Sequence, residues 1–295
     1  MRTYEFQTFD VFTQERFAGN QLAVVMNADG LSTEEMQTIT REFNLAETTF
    51  VLPPEDPAHT ARVRIFTIGY EMPFAGHPTV GTAVAVARAR GLDGEIALEL
   101  NAGLFPVRVE AGKDAGFAEF RNPNLPQETG PAPSPGLFEA ALSLPPGAVD
   151  RENHRPRRIG AGVDFYHLRA PLEAVRNARI DGAAWKALDM ENMIGVYLYA
   201  EGGEAYDATY HARMFAPDAG VPEDAATGSA AAALPGQIAL AETLPDGEHR
   251  WVIEQGFEMG RPSRILASVD VAGGALTAVR IGGHAVPVQT GQLFL

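Results

Sequence analysis

Glu47 stands where a helical stretch gives way to an apolar, strand-like one, in Asn44-Leu45-Ala46-Glu47-Thr48-Thr49-Phe50-Val51. A charged side chain there either points to solvent or lines a cavity, and in a cavity it can serve as a general acid or base. His77 follows Gly76 at the tip of a glycine-rich turn and precedes Pro78, which suits a first helical turn because it has no N–H to leave unpaired. Histidine titrates near neutrality and can shuttle a proton, the other reading being a turn or capping role. Asp224, in Pro222-Glu223-Asp224-Ala225-Ala226-Thr227-Gly228-Ser229, precedes a second such turn, where aspartate can cap a helix or join a site. Thr227 and Ser229 offer hydroxyls, and Gly76 and Gly228 backbone N–H groups, to a substrate carboxylate.

The elements that must position these residues occur twice. The turns Gly76-His77-Pro78-Thr79-Val80-Gly81-Thr82-Ala83 and Ala226-Thr227-Gly228-Ser229-Ala230 each follow an Arg-x-Phe strand end and a proline, and each runs into an alanine-rich helical stretch. A helix N-terminus carries unpaired N–H groups and the positive dipole end, so two of them aimed at one cleft would seat a small anion. Arg64-Ile65-Phe66 matches Arg213-Met214-Phe215 at 213 − 64 = 149, and Pro73 matches Pro222 at the same offset. Gly81-Thr82-Ala83 matches Gly228-Ser229-Ala230 at 147, Asn44 matches Asn192 at 148, and Phe50-Val51 matches Tyr197-Leu198 at 147. Pro106-Val107-Arg108-Val109 resembles Pro262-Ser263-Arg264-Ile265 at 156. Matches in order with drifting offsets indicate an internal repeat. Glu47 has no acidic counterpart near Ile194 or Gly195, so the chemistry is one-sided.

In the first half, strands are expected over 21–26, 48–52, 61–67, 95–100 and 105–110, and helices over 33–43 and 78–90. Ser32 with Glu35 forms a capping box for the first helix. The run Ala83 to Ala87 is apolar all round, which fits a helix buried inside a curled sheet. Proline is dense from Asn122 to Pro146, which reads as the connection into the second half. Pro235-Gly236 should make the second alanine-rich helix short, or stop and restart it.

The chain has 295 residues and a formal net charge of −15, from 38 acidic against 23 basic residues. Such a surface disfavours nucleic acid and anionic membranes. There is no long apolar span, and the opening residues alternate like a strand, with no charged-then-apolar leader, so a cytoplasmic location is expected. No cysteine is present, which excludes disulfides, thiolate catalysis and cysteine-ligated metals. None of the seven histidines has a ligand spacing, so no metal is expected, and His154, His167, His211 and His249 read as ordinary strand or loop residues. Thr82 stands where a Walker loop needs lysine, and neither a Gly-x-Ser-x-Gly elbow nor a Gly-x-Gly-x-x-Gly dinucleotide turn occurs.

The motifs, taken together and in order, resemble those of the PhzF-like isomerase family, named for phenazine biosynthesis, within the diaminopimelate-epimerase fold. The resemblance covers the whole chain. It rests on Asp10-Val11-Phe12 with Phe17-Ala18-Gly19-Asn20, on 41–48 around Glu47, on Pro73 to Thr79, and on Arg213 to Pro217. It continues through Glu223-Asp224 and Thr227 to Ala230, then Gln255-Gly256 and Met259 to Ser263. It implies an α+β fold of two pseudo-symmetric domains, each a β-barrel-like sheet around a central helix. These are expected over 1–120 and 121–295, with 280–295 completing the first and the site in the cleft between them. It further implies that Glu47 is the acid/base, with His77 and Asp224 assisting as catalytic groups, and that Asn20, Gly76, Thr227, Gly228 and Ser229 hold the substrate.

The implied activity is a cofactor-independent isomerisation that moves a proton on a small carboxylated metabolite, by a homodimer. Burial on domain closure would raise the Glu47 pKa. The alternative is a member of the same family that binds a metabolite or protein without turnover. Two positions depart from the family pattern: Gln21 and Ala225 each stand where proline is usual, which bears on substrate geometry.

Overall fold

The structure is a computed structural model and describes residues 1–295. The chain divides into an N-terminal unit, Met1–Arg121 with Gly282–Leu295, and a C-terminal unit, Asn122–Ile281.

The N-terminal unit contains β1 (Thr3–Val11), β2 (Asn20–Val25), α1 (Thr33–Phe43), β3 (Glu47–Leu52), β4 (Ala61–Thr67), β5 (Glu71–Met72), α2 (Gly76–Arg90), β6 (Gly94–Leu100), β7 (Gly103–Glu110) and β8 (Gly116–Arg121). The C-terminal unit contains β9 (Gln127–Gly130), α3 (Pro135–Ala141), β10 (Arg157–Gly160), β11 (Asp164–Arg169), α4 (Leu172–Asn177), α5 (Gly182–Trp185), β12 (Gly195–Glu201), β13 (Tyr210–Ala216), β14 (Val221–Asp224), α6 (Gly228–Ala241), β15 (Gly247–Gln255) and β16 (Ser263–Ala272). The last strand, β17 (Ala275–Phe294), gives its first residues to the C-terminal unit and those from Gly282 onward to the N-terminal one.

In the N-terminal unit the pairings close a barrel of eight strands in the order β17, β1, β2, β3, β4, β6, β7, β8 and back to β17. Only β2–β3 and β4–β6 are parallel, and each of these needs a crossover, supplied by α1 and α2. The capping box of α1 is present, with both Ser32 and Glu35 engaged, and its buried side chains Met36, Ile39 and Thr40 face the sheet. The other helix is enclosed: α2 is buried from Gly76 to Ala87 and packs on β1, β2, β3, β7 and β8. An all-apolar helix has no face to offer water, so the barrel surrounds it.

The C-terminal unit repeats this order as β9, β10, β11, β12, β13, β15, β16 and the start of β17, with parallel pairs again in third and fifth place. The buried helix here is α6, and α4 and α5 lie in the β11–β12 crossover. Pro235 sits inside α6, which runs unbroken to Ala241 instead of stopping there. Packing on β9, β10, β11 and β16 holds the helix through the missing N–H. Gly236 also helps, because it has no side chain to strike Pro126 and Ile159.

Strand register corrects four of the sequence offsets: Met72 and Asp224 face equivalent residues, so Pro73 matches Ala225 (225 − 73 = 152), not Pro222. Phe50 faces Arg64 and Leu198 faces Arg213, so Phe50 matches Leu198 (198 − 50 = 148), not Tyr197. The helices begin at Gly76 and Gly228, an offset of 152, so Gly81 matches Ala233. Leu104 faces Glu99 and Arg264 faces Glu254, an offset of 160, so Pro106 matches Leu266. Glycines and prolines recur in turns whatever their length, whereas ladder hydrogen bonds admit one register. No helix is long and apolar enough to cross a membrane.

Candidate active site

Asn44 takes the left-handed conformation (φ 52°) and its N–H bonds to Thr40, which ends α1 and turns the chain into β3. Asparagine tolerates this region better than most residues. Glu47 therefore opens β3, paired with Leu22 on one side and Thr67 on the other. Two residues on, the Thr49 hydroxyl meets the Thr82 hydroxyl of α2 at 2.8 Å, which fastens β3 to the central helix. His77 is the second residue of that helix.

This brings Glu47 Oε2 within 3.3 Å of His77 Nε2, a loose approach of the kind that tightens when substrate arrives. The Glu47 side chain is 17% exposed and His77 only 4%, so the carboxylate is the reachable member. On the far side of the ring, Asn20 Nδ2 lies 3.3 Å from Nδ1. Burial pulls the His77 pKa down to about 3, against a backbone hydrogen bond with Gln21 that acts the other way. The imidazole is thus neutral at pH 7. Gln21 takes part through its backbone, so the side chain that replaces the usual proline leaves this contact intact.

At the start of α2 no side chain caps the helix, Thr79 N–H bonds back to Ala75, and Pro78 has no N–H. Gly76 and His77 are the first-turn N–H donors that remain. The start of α6 also lacks a side-chain cap, and Ala231 N–H bonds back to Thr227.

In the C-terminal unit, Asp224 ends β14 and Thr227 is the N-cap of α6. The Thr227 hydroxyl donates to Asp224 Oδ2 at 2.7 Å. The side chain of Gln255, at the end of β15, bonds to both Thr227 and Asp224. Gly256 (φ 79°) makes this approach possible, because a Cβ there would collide with the carbonyls of Ala225 and Arg261. Three hydrogen bonds with the Gln255 side chain, two donated and one accepted, hold the segment in which Ala225 replaces proline. Neither the Thr227 hydroxyl nor its N–H is turned outward, and Ser229 is half-buried on the first turn of α6.

The two units can be compared position by position. Glu47 matches Gly195, since Leu22 faces Glu47 and Phe165 faces Gly195 in equivalent pairs. A side chain at Gly195 would strike the Phe215 carbonyl and Met214, so that position cannot carry a second carboxylate. His77 matches Ser229 at 229 − 77 = 152, and Met72 matches Asp224, each facing the equivalent of Ile65.

Of the four histidines read as ordinary, His154 is buried with Tyr199 and Glu242 as partners, and two others are fully buried. His211 is fully buried between Glu254 Oε2 (3.3 Å) and Glu258 Oε1 (2.9 Å); burial lowers its pKa, but the two carboxylates outweigh that and raise it. His167 is fully buried with Nε2 on the Ala230 carbonyl at 3.1 Å, and burial pulls it down to about 4. Neither sits in a motif, and only the alternation of β11 and β13 hints at burial. No group of three or more His, Asp or Glu converges as a metal site.

An eight-stranded barrel around a buried helix, its strand order repeated in the second unit, defines an epimerase-like α+β protein. The model of the phenazine biosynthesis-like protein family (PhzC-PhzF) matches residues 9–291, and the chain belongs to that family, whose named members include isomerases. It is 45% identical to an uncharacterized isomerase of Mesorhizobium japonicum over the whole of both chains. It is 34% identical to the trans-2,3-dihydro-3-hydroxyanthranilate isomerase of Pseudomonas aeruginosa, over 99% of this chain and 100% of that one. The crystal structure of a Bacillus anthracis phenazine biosynthesis protein of the PhzF family superposes with a TM-score of 0.87 at 26% identity, over all of both chains. A hydroxyproline epimerase from Agrobacterium vitis shares the fold alone, with a TM-score of 0.65 at 11% identity over 99% of this chain and 92% of that one. The fold and family implied by the sequence resemblance are those found.

Proposed function

We propose that the protein is a cofactor-independent isomerase in which Glu47 moves a proton on a small carboxylated metabolite. The observation that carries this reading is the 3.3 Å approach of the part-exposed Glu47 carboxylate to a buried, neutral His77. A neutral imidazole beside the carboxylate brings no positive charge to lower its basicity, so the base stays available. Glu47 takes a proton from an activated carbon, the C–H electron pair enters the conjugated system, and the resulting carboxylic acid returns the proton to another carbon. Atoms and charge balance with no external acceptor. The first-turn N–H groups of Gly76 and His77, and those of Gly228 and Ser229, are the donors proposed for the substrate carboxylate. Asp224 is proposed to assist the proton transfer, and Asn20 to act through His77.

The relative named trans-2,3-dihydro-3-hydroxyanthranilate isomerase supplies the first probe: its substrate, incubated with the protein in D₂O, followed by a panel of small unsaturated carboxylates. Wild-type protein should incorporate solvent deuterium at carbon, and Glu47→Gln should lower the rate by at least about 10²-fold with an unchanged melting temperature. A Glu47→Gln variant that exchanges at the wild-type rate would end the assignment.

A further inference from the structure

The run Met259-Gly260-Arg261-Pro262-Ser263 has no part in the proton transfer proposed above, and the internal repeat shows what it adds. In the N-terminal unit Leu100 faces Gly103, so two residues, 101 and 102, join β6 to β7. In the C-terminal unit Gln255 faces Ser263, so seven residues, 256 to 262, make the matching connection from β15 to β16. The longer connection winds into a 3₁₀ turn over Phe257–Met259. Hydrogen bonds from the Met259 and Arg261 N–H groups to the Gly256 carbonyl, and from Gly260 N–H to that of Phe257, close it.

Glu258, on this turn, meets a buried histidine. His211, on β13, has Nε2 2.9 Å from Glu258 Oε1 and Nδ1 3.3 Å from Glu254 Oε2, with its ring 5.6 Å from that of Phe257. Its neighbour on β12 is Ala200. Arg213, two residues along β13, lies 3.9 Å from Glu258 Oε2 and is bonded to Glu223 of β14. Glu254 also accepts from the N–H groups of Glu204 and Ala205. In the N-terminal unit the position of His211 belongs to Arg62, which faces Glu99 as His211 faces Glu254. The Arg62 side chain is 37% exposed and paired with Glu55. A permanent, part-exposed cation in one unit is thus replaced in the other by a buried group that can lose its charge. The replacement coincides with the added turn, which supplies the second carboxylate.

A neutral imidazole has one N–H and an imidazolium has two, so only the protonated ring can donate to Glu254 and Glu258 together. The two carboxylates outweigh burial and raise the His211 pKa, which favours that form. The turn abuts the segment before α6: Gly256 leaves no room for a Cβ against the Ala225 carbonyl, and Gln255 bonds to both Asp224 and Thr227. We infer that a proton on His211 fastens the added turn to β13 and so positions the 224–227 segment, and that the fastening is released as pH rises. For turnover, the inference rests on the reading above that Asp224 assists the proton transfer. His211 is then a positioning residue, acting through the turn.

The test follows His211 by NMR in the full chain, with hydrogen-exchange protection of the Met259, Gly260 and Arg261 amides measured at each pH. In wild type the His211 midpoint should lie above 6.5, and protection should fall about 10-fold as pH rises through it. Glu258→Gln should lower the midpoint by about one pH unit and carry the loss of protection with it. His211→Gln should show the low protection at every pH, and if it unfolds, wild type and Glu258→Gln decide the matter. A midpoint at or below 6.5, or protection that does not follow it, overturns the fastening. With trans-2,3-dihydro-3-hydroxyanthranilate in D₂O, kcat for exchange should fall on the alkaline side, and Glu258→Gln should move that limb down by the same unit. A limb that stays in place overturns the role in turnover. Absence of exchange in wild type would instead count against the Glu47 reading, while titration and protection still decide the fastening.

Discussion

At the scale of single residues, the N-terminal site is a question of which way an imidazole faces. His77 is buried and neutral, with Asn20 on one nitrogen and Glu47 on the other. Asn20 reads from sequence as a substrate ligand, yet its amide lies 3.3 Å from His77 Nδ1, where it can steady the ring. The two roles separate kinetically. Asn20→Ala should lower kcat for solvent exchange by about 10- to 100-fold and move KM little, because it loosens the ring that orients the base. A rise in KM at constant kcat would return Asn20 to substrate binding. The one-sidedness of the chemistry is likewise decided residue by residue. Gly195 leaves no room for a side chain where the other half carries Glu47, and Ser229 occupies the position of His77.

At the scale of elements, the short strands that lead into α2 and α6 are clamped by arginine. Arg213 is buried, bidentate to Glu223 on β14, and its Nη1 donates to the carbonyls of Val175, Arg176 and Ala178 at the C-terminal end of α4. Arg64 holds Glu71 on β5 in the same way but otherwise reaches only Thr33, with a more exposed side chain (16% against 8%). Arg213→Met leaves a half-buried carboxylate and three carbonyls without their donor and should cost about 3–5 kcal/mol in urea unfolding. Arg64→Met should cost less, about 1–3 kcal/mol. Equal losses would show that burial does not distinguish the clamps. Much of this layer is legible in the sequence, because periodicity and caps are local. Ser32 and Glu35 announce α1, the apolar run 83–87 announces an enclosed helix, and Arg-x-Phe marks the repeat. What the sequence hides is non-local. Gln255 lies 28 residues from Thr227 in the chain, and nothing in its own neighbourhood says that its amide caps another element. Pro235 misleads for the same reason: its local penalty is plain, while the packing that overrides it comes from four other strands.

At the scale of the whole molecule, burial lowers the pKa of histidines in both units, most for His77 and His167 and also for His154 and His284, and this sets the acid side of its stability. Burial lowers His77 to about 3 and His167 to about 4. In the unfolded chain both titrate near 6.5. Between these values the unfolded state binds more protons than the native one, so stability is complete above about pH 6.5 and falls as pH drops toward 4. Each histidine contributes at most about 1.4 kcal/mol per pH unit to that slope. His211 acts in the opposite sense, because its raised pKa makes its contribution present at low pH and lost as pH rises through the folded value. The carboxylates held low by arginine, Glu71 and Glu139, act only below their unfolded range, so their window begins near pH 4.5 and leaves the interval above it to the histidines. Urea unfolding at pH 7, 6 and 5 should therefore show stability falling with pH, by up to about 3 kcal/mol per unit if both sites contribute fully. In His77→Gln/His167→Gln the slope, whatever the absolute stability, should flatten by most of that amount. An unchanged slope in the double variant would mean that the buried rings are not what acid attacks, and would also remove the case for a neutral His77 beside Glu47.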